Sequence, residues 1–184
     1  VAYRAALYLV ETLKAEQFAR LLPKDFFYQT GSSIQDGILF LPGLPTGTFY
    51  FWKNKGGKND LIIFVSNAQP DLTHSSVYCE QILSVAKAFK TKLITCFAAM
   101  PQPIEHTQTP NVWVAVTAKK MLEDFRKYNF SFLTEGQISG MNGLFLGIAK
   151  EQGFAGFCLL GEIPLYTIQI ENPNSIISAF QQVK

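Results

Sequence analysis

Length, composition and charge exclude several classes of protein before any motif is considered. The chain has 184 residues, which suits one large domain and leaves little room for two. Hydrophobic residues make up 48% of the chain and charged residues only 16%, so the sequence is not disordered, and its low charge indicates surface buried against another subunit. The net charge is +2, and the densest basic cluster, Lys53, Lys55 and Lys58, surrounds two glycines as in a solvated turn. We therefore expect no nucleic-acid binding.

The three cysteines and the longest uncharged stretch indicate where in the cell the protein is found. Cys79, Cys96 and Cys158 are widely spaced in apolar segments and form no C-x-x-C pair, which argues against a disulfide framework and a zinc site. They indicate buried, reduced thiols in a cytoplasmic protein. Two prolines interrupt the longest stretch without Asp, Glu, Lys or Arg, residues 37–52, so we expect no membrane span.

The N-terminal third of the chain predicts a helix and then a small antiparallel ribbon. Ala6, Leu9, Val10 and Leu13 lie on one helical stripe, and the pattern extends through Leu21 until a proline stops it. Short apolar runs separated by glycines and prolines follow, as in the strands of a ribbon. These runs are residues 25–29, 37–41 and 46–52, followed by a turn over 53–59.

From residue 60 onward, predicted strands and helices alternate. Continuous apolar runs predict buried strands over 61–66, 92–98, 112–116 and 154–160. Apolar residues at helical spacing predict helices over 75–90, 118–128, 139–152 and 173–183. This alternation is typical of parallel β-α-β units with helices on both faces of the sheet. Because the ribbon adds antiparallel strands, we predict an α/β fold on a mixed, mainly parallel sheet.

Polar residues follow two of the predicted parallel strands, where ligand sites in such sheets gather. Asn67, Gln69 and Asp71 come after the first strand of this series and could bind a small molecule. We favour the alternative in which Asp71 or Thr73 caps the next helix and the two amides fix the turn. Glu162 follows the last strand and is a candidate base or cation ligand, although a structural role is commoner for such a carboxylate.

A glycine-rich segment, residues 138–143, precedes the predicted helix over 139–152. It resembles an anion-binding loop at a helix N-terminus, with Asn142 as an additional polar group. Gly140, Gly143 and Gly147 do not match a Walker loop or G-x-G-x-x-G. Their spacing of three and four puts them on one helical face, so we favour close backbone packing.

The histidines offer no recognisable reactive centre. His74 and His106 are the only two, and neither lies in a sequence cluster of carboxylates that would make a metal site. A dyad of His74 with Cys79 would place the two side chains in different directions on a helix. No serine lies in a nucleophile-elbow pattern. We expect no catalytic residue, no metal and no cofactor.

Three runs of sequence, taken in order and spacing, resemble the proteasome assembly chaperone family, which includes archaeal and bacterial members formerly labelled ATP-grasp-like. The runs are 60–70 (DLIIFVSNAQP), 137–143 (QISGMNG) and 159–166 (LLGEIPLY), and together the resemblance covers nearly the whole chain. It implies a three-layer α/β sandwich like that of nucleoside phosphorylases and related hydrolases. It also implies an oligomer that assists proteasome assembly without catalysis.

The same resemblance bears on the ends of the chain. The family begins with a strand and a glycine-containing turn before its first helix, and it runs on beyond residue 184. The resemblance therefore implies that 1–184 is a single α/β domain without the family's N-terminal strand and C-terminal helices. Members that dock on the proteasome end in a hydrophobic–tyrosine–any-residue tail, which residues 182–184 (QVK) do not match.

We predict a non-catalytic, homo-oligomeric assembly or binding protein whose partner is a proteasome-like complex. The alternative is a small-molecule-binding enzyme, ligase-like or nucleoside-phosphorylase-like, with a pocket at the carboxyl ends of the strands. The candidate ligand-binding residues are Asn67, Gln69, Asp71, Gly140, Asn142, Gly143, Glu162 and Tyr166. An enclosed polar cavity around Glu162 would favour the enzyme, and a broad apolar interface would favour the assembly protein.

Glu162 also carries an expectation about its hydrogen-bond partners. A partly buried carboxylate needs donors, and no Lys or Arg lies within ten residues of it on either side in sequence. The donors could be backbone N–H groups, the hydroxyl of Tyr166, a distant basic side chain or a ligand. We favour the N–H groups of the turn over 139–143, where the helix dipole also attracts a negative charge.

Overall fold

The structure is a computed structural model and describes residues 1–23, 25–128 and 130–167. Contacts between residues group the chain into two compact units, one over Ala6–Ile82 and one from Leu83 onward together with Val1–Ala5. The predicted helix over 173–183 and the tail 182–184 lie outside the described residues. The single domain over 1–184 stays a prediction, as does the three-layer, phosphorylase-like arrangement.

The sheet of the Ala6–Ile82 unit is antiparallel. Strand β4 lies in its centre, with β1 and β5 on either side. The prediction that residues 61–66 form a parallel strand was wrong, because a short turn joins β4 to β5 and strands so joined run antiparallel. The elements are α1 (Ala2–Leu13, which begins in the other unit), β1 (Glu16–Leu21), β2 (Ser33–Gln35), β3 (Ile38–Phe40), β4 (Gly47–Trp52), β5 (Leu61–Ser66), a 3-10 segment (Leu72–His74) and the first part of α2 (Ser75–Ala88).

The predicted first helix was too long. Helix α1 ends at Leu13, Lys14 has a positive φ of 52°, and the chain then forms β1. The apolar residues of β1 continue the helical spacing by coincidence, since a short run fits both the helical and the strand period. Residues 25–29 are likewise not a strand, and the chain turns there.

Strands β2 and β3 form a separate two-stranded hairpin. Asp36 and Gly37 make its turn with φ of 52° and 79°, the positive angles that a type I′ turn requires. The predicted run over 37–41 is therefore a strand, and its partner β2 is too short to show periodicity. All six strand residues of the hairpin are exposed.

The unit from Leu83 onward contains a mixed four-stranded sheet in the order β6-β9-β7-β8. Strand β9 runs parallel to β6 and antiparallel to β7, while β7 and β8 are parallel. This confirms an α/β fold with a mixed sheet. The elements are the end of α2, β6 (Leu93–Gln102), β7 (Val112–Val116), α3 (Lys119–Phe125), β8 (Ser131–Phe132), α4 (Gly140–Glu151), β9 (Ala155–Pro164) and a 3-10 segment (Leu165–Thr167).

The direction of β7 corrects the prediction of parallel units throughout. The loop 103–111 is the whole connection between β6 and β7. A parallel crossover needs about a dozen residues or more, usually with a helix, so this loop can only return the chain beside β9 in the opposite direction.

The core of this unit lies on both faces of β9. Cys158 and Leu160 pack into one apolar cluster with residues of β6 and α4. Phe157 and Leu159 point to the opposite face and pack with residues of β7 and α3. All residues of β9 after Ala155 are buried, as the continuous apolar run predicted.

The three cysteines are free and buried, as the sequence predicted. Burial raises the pKa of the Cys79 thiol to about 11 and that of Cys158 to about 12. Only the thiolate form of a cysteine reacts with disulfide reagents. Because the pKa values of both thiols lie far above neutral pH, almost no thiolate is present there.

We predict that the native protein does not react with a disulfide reagent such as DTNB at pH 8, while the unfolded protein in guanidinium chloride releases a signal from all three thiols. Absorbance of the released thionitrobenzoate measures both. Rapid stoichiometric labelling of the folded chain would contradict the burial of Cys79 and Cys158.

Two of the three glycines of α4 are required by the backbone. Gly140 has a φ of +76°, and a Cβ at Gly143 would overlap the carbonyl oxygen of Ile138. A Cβ at Gly147 would meet nothing within 4 Å. The prediction of close backbone packing is thus correct for Gly143, which lies against the preceding turn, and wrong for Gly147.

We predict that Gly143→Ala lowers the free energy of unfolding by about 1–3 kcal/mol or more, because the Ile138 carbonyl must move. Gly147→Ala is the matched control and should stabilise the helix by about 0.5–1 kcal/mol. Urea unfolding followed by circular dichroism measures both. Equal midpoints for the two variants would contradict the assignment.

Candidate functional site

Glu162 is a buried carboxylate within β9, two residues before the strand ends, with 5% of its surface exposed. Its Oε2 accepts a hydrogen bond from the backbone N–H of Asn111 at 2.8 Å, and its Oε1 accepts one from the Trp113 indole N–H at 2.7 Å. The backbone N–H of Glu162 donates in turn to the Asn111 carbonyl at 3.1 Å. Both carboxylate oxygens are therefore engaged by the chain itself.

The register of β7 against β9 explains this arrangement. Trp113 lies opposite Leu160, two residues before Glu162, so the Trp113 and Glu162 side chains lie on one face as diagonal neighbours. The antiparallel direction brings the first residue before β7, Asn111, beside the carboxyl end of β9. The expected need for donors was correct, and these two donors come from the start of β7. Donation by the turn over 139–143 stays a prediction.

Tyr166 lies in the 3-10 segment that follows β9 and makes a second contact with the loop 103–111. Its hydroxyl accepts a hydrogen bond from the backbone N–H of His106 and lies 3.0 Å from His106 Nδ1. Glu162 and Tyr166 thus hold the same loop at two points, one buried and one exposed. The polar groups at this end of the sheet therefore anchor the loop 103–111.

Asp71 acts as a helix cap, the alternative that the sequence favoured. Its Oδ1 accepts from the backbone N–H of Thr73 at 2.9 Å and from the Thr73 hydroxyl, and Ser75 Oγ donates to the Asp71 carbonyl. The Thr73 hydroxyl and N–H lower the pKa of the Asp71 carboxyl below its usual value. Asn67 and Gln69 are exposed in the preceding turn.

The glycine-rich segment is occupied by its own backbone. The Ile138 carbonyl fills the space beside Gly143, Asn142 is half-buried, and the Ser139 side chain makes no capping bond. Asn67, Gln69 and Asp71 belong to one compact unit, and Gly140, Asn142, Gly143, Glu162 and Tyr166 belong to the other. A ligand-binding role for the eight residues stays a prediction.

Sequence reasoning missed a half-open cleft of about 540 Å³ in the Ala6–Ile82 unit. Phe51 and Trp52 line it together with the end of α1 and the turn after β4. In that turn Lys53 pairs with Asp60 at 2.8 Å, which lowers the pKa of the Asp60 carboxyl. The lysine-rich turn was predicted, but nothing in its pattern indicates that it borders a cleft.

Sites of two other classes are absent from the described residues. Across 1–23, 25–128 and 130–167, no group of three or more His, Cys, Asp or Glu side chains is arranged to hold a metal ion. None of the helices in that part of the chain combines the length and hydrophobicity that a membrane span requires.

Comparison with known proteins identifies the family. The PAC2 family profile matches residues 1–184. The chain belongs to the PAC2 family. A search of curated proteins found no significant match.

Solved structures of similar fold include two archaeal proteins and one mycobacterial protein that are linked to the proteasome. The archaeal proteasome activator PbaB of Pyrococcus furiosus is 27% identical, with a TM-score of 0.78 over 98% of this chain and 77% of its own. The proteasome-assembly chaperone homologue of Mycobacterium tuberculosis is 15% identical, with a TM-score of 0.79 over 98% and 76%. PbaA of Pyrococcus furiosus, an archaeal homologue of proteasome-assembly chaperone, is 20% identical, with a TM-score of 0.73 over 98% and 73%.

We predict that Glu162→Gln lowers the free energy of unfolding by about 1–2 kcal/mol, because an amide nitrogen cannot accept the second hydrogen bond. Urea unfolding measures the change. Exposed Glu123→Gln is the matched control and should stay within about 0.5 kcal/mol of wild type.

A double-mutant cycle tests the Trp113 contact within the same experiment. Glu162→Met removes both acceptor oxygens at similar volume. If Glu162→Met and Trp113→Phe act through the shared hydrogen bond, their effects on unfolding are less than additive. Full additivity would show that the two side chains do not stabilise each other.

Proposed function

We propose that this PAC2-family protein is a non-catalytic, homo-oligomeric assembly protein that acts on a proteasome or proteasome-like complex in the cytoplasm. The observation that carries the proposal is the family match over residues 1–184, joined to the likeness to PbaB over 98% of the chain. PbaB is a proteasome activator and PbaA is a homologue of a proteasome-assembly chaperone, so activation and assembly are the two activities to test.

The surface of the chain supports a protein partner. Several large apolar side chains in and directly after the β2–β3 hairpin are more than half exposed: Ile34, Ile38, Leu39 and Leu41. Contiguous exposed apolar surface commonly marks a site of protein interaction. The three buried, reduced thiols fit a cytoplasmic location.

The site geometry gives the rival enzyme little support. A general base or cation ligand needs an accessible carboxylate oxygen, and both oxygens of Glu162 accept hydrogen bonds from Asn111 and Trp113. The cleft beside Trp52 contains none of the eight predicted ligand residues.

The decisive experiment follows assembly of the proteasome core particle from its separately purified subunits, taken from the same organism, on native gels. We predict that full-length protein accelerates formation of the complete particle, and that an unrelated protein of equal mass does not. Peptide hydrolysis by the preassembled particle, with and without the protein, measures activation separately.

The proposal fails if neither assembly nor hydrolysis changes. A rise in melting temperature with ATP and magnesium or with nucleosides, in the absence of any effect on the proteasome, would favour the ligase-like or phosphorylase-like alternative.

A further inference from the structure

The hairpin of β2 and β3 exposes an unusual amount of apolar side chain. Five large apolar residues in and directly after its strands are between 42% and 71% exposed: Ile34, Ile38, Leu39, Phe40 and Leu41. Asp36, in the turn, is the only charged residue between 33 and 41. The two strands themselves carry no charge.

The edges of this hairpin are open. Within the described part of the chain, β2 and β3 pair only with each other. A two-stranded hairpin is marginally stable in water, and three or more strands with an apolar face are needed for independent stability. Proteins that keep an edge strand unpaired protect it with short length, lysine, proline or a bulge, and Ile38–Phe40 has only the first of these.

The register identifies the residue whose backbone faces the open edge. Gln35 and Ile38 flank a two-residue turn, so they form a hydrogen-bonded pair of the ladder. Hydrogen-bonded and non-hydrogen-bonded pairs alternate, so Ile34 and Leu39 form the next pair without mutual hydrogen bonds. The N–H and C=O groups of Leu39 therefore point away from β2, towards the open edge of β3.

We propose that β3 pairs antiparallel with β3 of a second copy of this chain, about a twofold axis that passes beside Leu39. The two Leu39 residues then exchange both backbone hydrogen bonds and join two hairpins into one four-stranded sheet. Ile38 lies opposite Phe40 of the partner subunit, so every pair across the new interface is apolar. On one face, Ile34 and Leu39 of both copies form a continuous apolar row.

The chemistry of the strand favours a second copy over an unlike partner. In antiparallel self-pairing, Ile38-Leu39-Phe40 opposes apolar to apolar at each position, and no charge repels the second copy or attracts a charged partner. The low charge of the whole chain, 16%, also indicates surface that is buried against another subunit. The inference rests on the self-association proposed above and specifies its surface. It does not depend on proteasome binding.

A charge-pairing experiment tests the axis. Because each Leu39 would face itself, Leu39→Lys and Leu39→Glu should each weaken self-association by about tenfold or more through like charges directly opposite each other. An equimolar mixture of the two variants should regain association. Sedimentation velocity over a concentration series measures all three, and Leu72→Lys, at a 91% exposed leucine, is the control that should associate as wild type does.

A cross-linking experiment tests the register. Opposed residues of a hydrogen-bonded pair have Cα atoms about 5.5 Å apart, within the range that a disulfide spans, so Leu39→Cys should form a covalent dimer on mild oxidation. Ile38→Cys should not, because its copy lies about two residues away along the strand, beyond the disulfide limit of about 7 Å. The native cysteines are buried, and Leu72→Cys controls for random collision.

The possible outcomes separate the two proposals. Wild-type protein that stays oligomeric while Leu39→Lys associates equally well would overturn the β3 surface alone. Monomeric wild-type protein would overturn self-association and the surface together, while the core-particle assembly assay still tests the chaperone role. Covalent dimers from Ile38→Cys but not Leu39→Cys would overturn the proposed register.

Discussion

Strand β9 pairs with a neighbouring strand on each side and packs against an apolar cluster on each face. The unit from Leu83 onward depends on that constraint. A strand so placed has almost no room for polar side chains, because each would need a buried partner. Glu162 is the exception among its buried side chains, and the partners come from the strand that pairs beside it. The position of the loop 103–111 therefore depends on the strand order, since only an antiparallel β7 brings Asn111 within hydrogen-bond distance of the Glu162 carboxylate.

The parts of the fold that the sequence predicted are those where burial acts on neighbouring residues. Strand β9 and helix α4 are long, and burial on one or both sides leaves an apolar pattern that a single sequence reveals. Strands β2 and β8, with three and two residues, are too short for any period to appear. The direction of β7 depends on topology, which apolar periodicity does not reveal. The short loop 103–111 does indicate it, because a parallel crossover from β6 to β7 needs a longer connection.

The same distinction separates success from failure in the candidate site. The capping role of Asp71 depends on Thr73 and Ser75, a few positions away, and was therefore predictable. That Glu162 would need donors followed from the cost of burying a carboxylate, but their identity depends on Asn111 and Trp113, about fifty positions away in sequence. Close backbone packing was predicted for all three glycines from their spacing. Gly143 shows it and Gly147 does not, because spacing along a helix does not tell which position faces a neighbour.

The position of β9 near the end of the described chain has a consequence for folding. Its ladder with β6 joins Leu93 to Ala155, about sixty positions apart, whereas β4 and β5 are joined by a short turn. On the ribosome, the antiparallel sheet can close while β6 and β7 still lack the strand that separates them. Until β9 emerges, their apolar edges stay unpaired, so nascent chains of this protein pass through an interval of exposure to aggregation and to general chaperones.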